Sequence, residues 1–201
     1  MSAQREAADE NEPARSARLF FALWPDPTMQ AALAVAAASA VVETQNAASG
    51  VRRVPPANFH LTLAFLGSVP LSRLAEVEEV AARFTQSSGL RDLPIEIVLD
   101  AVEHWRKPQV LVATARQTPP AAIALAESLK RSLIDSGFSP DLKPFRVHAT
   151  VARKVRRVTH ELHIEPVHWR FESLRLIESK TSPDGSAYRP IAEWNRPHTV
   201  E

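Results

Sequence analysis

Apolar positions recur along the chain in two rhythms. Alternation with period two, or a short unbroken apolar run, marks 18–24, the stretch ending at Gly67, 95–102, 110–115, 145–153, 167–179 and 188–194 as strands. Spacing of three and four marks the helices. Met29, Leu33 and Ala36 fall on one face of 27–42, and Leu71, Leu74, Val77, Ala81 and Phe84 on one face of 71–86. Ile123, Ala126, Leu129 and Leu133 form a third stripe that stops at Gly137. Asp26-Pro27 and Thr118-Pro119 each supply a capping side chain followed by a proline, the signature of a helix start. Ser182-Pro183-Asp184-Gly185 is a turn between the last two strands. Strands and helices are mixed without strict alternation, which predicts an α+β fold. Each of two similar strands follows a helix. The expected architecture is therefore bilobal: two similar lobes, each with a mainly antiparallel sheet and helices, and an active-site cleft between them.

Those two strands carry the candidate chemistry. His60-Leu61-Thr62-Leu63 and His148-Ala149-Thr150-Val151 both read His-x-Thr-x with apolar residues at x. Residues two apart share a strand face, so each motif sets an imidazole and a hydroxyl side by side on rigid scaffolding. Two imidazoles suit general acid–base catalysis, one taking a proton and the other giving one. The segment 143–157 holds Lys143, Arg146, Arg153, Lys154, Arg156 and Arg157 beside the second motif, which favours a phosphate substrate. Arg146 shares the His148 face by strict alternation. Arg153, five residues on, reaches it only if the strand bends, bulges or ends.

Composition narrows the classes. The 201 residues suffice for a sizeable core, and 45% hydrophobic with 23% charged residues is ordinary for a globular protein. A formal net charge of +1 gives no global pull toward nucleic acid or membrane, so phosphate affinity must be local. Without cysteine, thiolate nucleophiles and thiolate metal sites are excluded. No apolar run approaches the roughly 20 residues of a membrane-spanning helix. Residues 1–17 read as a disordered polar tail, 18–196 as the folded domain and 197–201 as a short C-terminal tail. A cytoplasmic monomer is expected. His160, His163 and His168, interleaved with Glu161 and Glu165, match no metal spacing and read as a polar surface loop. Phe20 and Phe21 read as core, and His104 and Trp105 receive no role.

The motif pair, some ninety residues apart, resembles the two-histidine phosphoesterase superfamily. The surrounding residues resemble its RNA 2',3'-cyclic phosphodiesterase branch, also called 2'-5' RNA ligase. The similar stretches are Arg18-Leu19-Phe20-Phe21-Ala22-Leu23-Trp24, Asn58 to Gly67, His148 to Arg153, Leu176-Ile177-Glu178-Ser179, and Pro183-Asp184-Gly185 to Tyr188. Val147 stands where many relatives have proline, and Arg53 where they often have an aromatic. The resemblance implies metal- and cofactor-independent hydrolysis of 2',3'-cyclic phosphate ends of RNA or nucleotides to 2'-phosphates, with 2'-5' ligation as the reverse step. It implies His60 and His148 as the catalytic pair, Thr62 and Thr150 on phosphate oxygens, and Arg153 on the phosphate. The superfamily's usual order makes His60 the acid and His148 the base, although the two motifs have the same form. A nucleotide- or RNA-binding protein without turnover, and a phosphodiesterase for 2'-5' oligoadenylates, are the competing functions.

Overall fold

A computed structural model of the chain describes residues 15–195, apart from 48–49, 90–93, 159–161 and 183–184. The expected tails therefore lie outside the described residues except for Arg15, and for Ser16 and Ala17, which belong to the fold. They pair with Pro70 and Val69, so the first strand begins two residues before the expected boundary.

Two four-stranded antiparallel sheets form the frame. The first has the order β10-β9-β1-β3, from β1 (Ser16–Leu23), β3 (Leu61–Pro70), β9 (Ser173–Ser182) and β10 (Gly185–Asn195). The second has the order β2-β7-β6-β5, from β2 (Arg52–Arg53), β5 (Ala101–Trp105), β6 (Val110–Thr114) and β7 (His148–Arg153). β4 (Ile95–Leu99) and β8 (Val167–Phe171) make a separate antiparallel pair. The single strands expected over 95–102 and 167–179 are each split between two sheets. The first split falls at Asp100, whose N–H donates to the Thr114 carbonyl while its side chain accepts from the Arg116 N–H, anchoring the chain as it changes sheet.

Helices cover the sheets crosswise. α1 (Pro27–Ala36) and α2 (Ala38–Ala47) follow a strand of the first sheet, yet Ala34, Ala37 and Val41 line one cavity with Val151 of β7. α4 (Pro120–Asp135) follows β6 of the second sheet but packs on β3 and on α3 (Leu74–Phe84). Asp26 caps α1 as expected, its Oδ1 accepting from the Met29 N–H at 2.8 Å. The helix expected to continue to 42 breaks at Ala37 and resumes as α2. At the other predicted cap, Pro120 rather than Pro119 opens the helix and Thr118 makes no capping bond. A proline excludes helical geometry from the residue before it, and Pro119 is accordingly extended at φ −60°, ψ 134°.

Alternation divides β1 between two environments. Leu19, Phe21 and Leu23 enter a continuous core shared by both lobes, while Phe20 and Ala22 face the opposite side with Ile177, Trp24, Phe65 and Tyr188. A strand buried on both faces reads as an unbroken apolar run, as 18–24 does. The second, smaller cluster forms the aromatic floor beside the first motif.

Candidate active site

His60 lies immediately before β3, at the end of a one-turn 3-10 helix over Pro56–Asn58, one residue short of the expected strand position. Its Nδ1–H donates to the carbonyl of Asn58 at 2.7 Å. His148 opens β7, and its Nδ1–H donates to the carbonyl of Arg146 at 2.8 Å. Both imidazoles are thus tied to the carbonyl two residues earlier. A carbonyl only accepts, so the hydrogen bond assigns the proton of each neutral ring to Nδ1 and leaves Nε2 with a lone pair.

Both rings line one cavity of about 360 Å³ together with Thr62, Thr150 and Arg153. Arg18, Phe20, Phe65, Ser179, Ser186 and Tyr188 complete the wall, and none of the lining residues is acidic.

How Arg153 comes to share this cavity is written in the pairing of β7. Leu111 pairs with Ala152 and Val112 with Thr150, so Val151 has no partner and the strand bulges there. An inserted residue reverses the facing of everything beyond it. Val151 and Ala152 are accordingly both buried, and Arg153 emerges on the face of His148 and Thr150. β3 repeats the device. Ala22 pairs with Thr62 and Phe21 with Ala64, leaving Leu63 unpaired, and Phe65 emerges on the Thr62 face. His60-Thr62-Phe65 and His148-Thr150-Arg153 are therefore equivalent sets. Where the second set carries its own guanidinium, the first has Phe65 with the Arg18 guanidinium 4.6 Å from its ring centre. Arg146, the alternative selected by strict alternation, is instead engaged outside this cavity, its Nη2 donating to both Glu103 oxygens at 2.6 and 2.7 Å.

Comparisons with known proteins find similar sequences and a similar fold. A family model described as LigT like Phosphoesterase matches residues 25–111, which include the first motif. The chain is 28% identical over 147 residues to the RNA 2',3'-cyclic phosphodiesterase of Escherichia coli strain K12, covering 71% of this chain and 78% of that protein. It is 29% identical over 161 residues to the protein of the same name from Archaeoglobus fulgidus, covering 75% and 87%. Among solved structures, E. coli LigT complexed with 3'-AMP superposes with a TM-score of 0.73 at 23% identity, over 92% of this chain and all of that one. The chain is similar to the LigT-like phosphoesterases in sequence and in fold.

The two imidazoles sit in different surroundings. His60 is boxed by aromatic rings: Trp24 lies parallel at 5.0 Å, Phe20 at 5.0 Å, and Tyr188 edge-on at 5.0 Å. Burial pushes its pKa down from 6.5 to about 4. The Asn58 bond opposes this, and His148 and Arg153 add to it. His148 packs against Trp105 at 4.5 Å, and its pKa is also lowered, chiefly by burial and then by the Arg146 charge, against the Arg146 carbonyl and the Glu103 carboxylate. Both shifts favour the neutral imidazole at pH 7.

Several residues escaped the sequence reading. Trp105, given no role there, packs on His148 and donates from Nε1 to Glu103 at 3.0 Å. Glu103 also accepts from Thr114 at 3.3 Å, so it gathers Trp105, Thr114 and Arg146 around the second histidine. Tyr188, the one tyrosine of the chain, stands between the motifs, its ring against His60 and its hydroxyl 3.3 Å from Arg153 Nη2. His104 is structural, with Nε2 donating to the Val155 carbonyl at 2.7 Å. His163 is exposed and lies in a loop as expected, whereas His168, also exposed, belongs to β8 and pairs with Val98 rather than lying in a loop; His160 and Glu161 lie outside the described residues. No helix among the described residues is long and apolar enough to cross a membrane.

Proposed function

We propose that the protein opens 2',3'-cyclic phosphates at the ends of RNA or nucleotides by hydrolysis, leaving a 2'-phosphate, with His60 and His148 as the catalytic pair. The observation that carries this reading is the pair of imidazoles, each held through Nδ1, that share one cavity with two threonines, two arginines and no acid. The relatives named RNA 2',3'-cyclic phosphodiesterase support it.

The chemistry follows from in-line displacement. Water attacks phosphorus opposite the bond to O3', the pentavalent centre gains negative charge, and O3' collects a proton as it departs. One imidazole cannot serve both positions in one step. His148 accepts the proton of the attacking water on its Nε2. His60, protonated at Nε2, delivers a proton to O3'. Bound phosphate supplies the negative charge that raises the His60 pKa toward the working range. Thr62 and Thr150 donate to non-bridging oxygens, and Arg153 neutralises the charge that develops on them. No step calls on a metal. With a 5'-hydroxyl in place of water as the nucleophile, the same displacement forms the bond to O5', breaks the bond to O3' and joins ends by a 2'-5' linkage.

Product analysis on RNA ending in a 2',3'-cyclic phosphate tests the reading. The expected product carries a 2'-phosphate and forms equally well after exhaustive EDTA treatment. A 3'-phosphate product, or EDTA abolition rescued by one divalent ion, contradicts it. A substrate with a better leaving group at the 3' position is expected to rescue His60→Ala and not His148→Ala, and the converse reverses the two roles.

A further inference from the structure

The two histidines are held alike at Nδ1 but braced differently. Three rings enclose His60, whereas one ring among the described residues, Trp105, packs on His148, at 4.5 Å. Trp105 is the last residue of β5, which is an edge strand of its sheet. A ring at the end of an edge strand can brace its neighbour only if it is itself held.

Glu103 supplies that hold. The pairing of β5 with β6 and of β6 with β7 sets Glu103, Val112 and Thr150 in one row across the sheet, with Thr114 paired to His148 in the next row. Directly paired residues share a face, so Glu103 stands on the face of both motif side chains. One carboxylate oxygen accepts from Trp105 Nε1 at 3.0 Å, and the other from Thr114 Oγ1 at 3.3 Å. Arg146 Nη2 donates to both, at 2.6 and 2.7 Å, with its guanidinium 5.4 Å from the Trp105 ring centre. Each of these three partners meets His148 by a different route: Trp105 through its ring, Thr114 across the ladder, and Arg146 through the carbonyl that accepts from Nδ1.

We propose that Glu103 is a positioning residue for His148: by holding Trp105, Thr114 and Arg146 together, it fixes the imidazole so that Nε2 faces the attacking water. The proposal rests on the phosphodiesterase reading with His148 as the base. The side chains of Arg146 and Glu103 are 58% and 34% exposed, and an ion pair so open to solvent adds little to stability. Its loss should therefore register in rate before it registers in folding. The carboxylate also acts through charge. The Arg146 charge lowers the His148 pKa and the Glu103 charge opposes it. A base of lower pKa takes a proton from water less readily. The other charged or titratable groups facing His148 are Lys130, Lys143 and Asp141 in the cleft beside it, and His60, Arg18, Arg153 and Tyr188 across the catalytic cavity. Substituting Glu103 leaves all of these side chains in the chain.

Two variants separate position from charge. Glu103→Ala removes both, while Glu103→Gln keeps an acceptor oxygen and loses the charge. Turnover of a nucleoside 2',3'-cyclic phosphate is measured for each, together with the titration of every imidazole by NMR. Glu103→Ala is expected to lower kcat about tenfold, the scale of a displacement smaller than the ~1 Å that costs about 10²-fold. KM should stay within about twofold, because Glu103 does not line the cavity that holds the phosphate. Glu103→Gln should recover part of kcat. In both variants the His148 titration is expected to move to lower pH while that of His60 stays in place. Wild-type kcat in Glu103→Ala overturns the proposal, as does a rise in KM at unchanged kcat. An unmoved His148 titration in both variants also overturns it, and because Glu103→Gln preserves size and an acceptor, that result is available even if Glu103→Ala does not fold. Failure of the phosphodiesterase reading shows separately, as absence of turnover by a wild type whose His148 titration still responds to the substitutions.

Discussion

The ring of His60 has its protonation set by its surroundings. Trp24, Phe20 and Tyr188 replace water on its faces, and with Arg153 and His148 nearby the pKa falls to about 4. An unfolded chain binds a proton at this position between pH 6.5 and about 4 that the fold excludes. The stabilisation is therefore complete above pH 6.5 and is lost as pH falls toward about 4. A displacement of this size corresponds to about 3 kcal/mol at most. His148, lowered for the same reason, adds in the same sense. Denaturant unfolding at pH 7.5 and pH 5 is expected to show this loss in the wild type and a smaller one in His60→Asn. Equal losses in the two proteins contradict the assignment. Bound phosphate acts in the opposite direction, so the same substitution should also weaken the stabilisation that added nucleoside 2'-phosphate gives at pH 5.

Two bulges do for β3 and β7 what side-chain type alone does not. By inserting Leu63 and Val151 without partners, they bring Phe65 and Arg153 onto the faces of the histidines. Arg153→Ala is expected to lower kcat/KM for a cyclic-phosphate substrate by about 10²-fold, the scale of one lost donor to a developing oxyanion. Arg153→Lys should recover part of this, because it keeps the charge and loses the fork. A larger loss in Arg146→Ala than in Arg153→Ala contradicts the placement. The elements themselves were largely legible. The unbroken run of β1 announced burial on both faces, the stripes of α3 and α4 announced their inner sides, and Asp26 announced a cap. The repeated His-x-Thr-x disclosed the candidate pair. The bulges were legible only as a condition, since a bulge depends on which residue is left unpaired across the ladder. Trp105 and Glu103 were hidden for a related reason. They reach the second histidine through the pairing of β5 with β6 and of β6 with β7, a register that local pattern does not encode. The split of 95–102 at Asp100 was hidden because both halves are apolar and strand-like, whichever sheet receives them.

At the scale of the molecule, the two lobes present matched histidine–threonine sets to one cavity, and the helices knit them by crossing from one sheet to cover the other. With a net charge of +1 spread over 201 residues, selectivity for an anion falls to the local wall of Arg18, Arg153, threonine and serine hydroxyls and Tyr188. Neither lobe holds a complete site, so the central claim is that both imidazoles act on one phosphate. The most direct test is the rate of ring opening of an RNA 2',3'-cyclic phosphate by wild type, His60→Ala, His148→Ala and the double variant, each verified as folded. Each single substitution is expected to cost at least ~10²-fold, the scale of a lost general acid or base. The double variant should fall far short of the product of the two losses, as residues acting as one unit do. Near-normal turnover by either single variant contradicts the account.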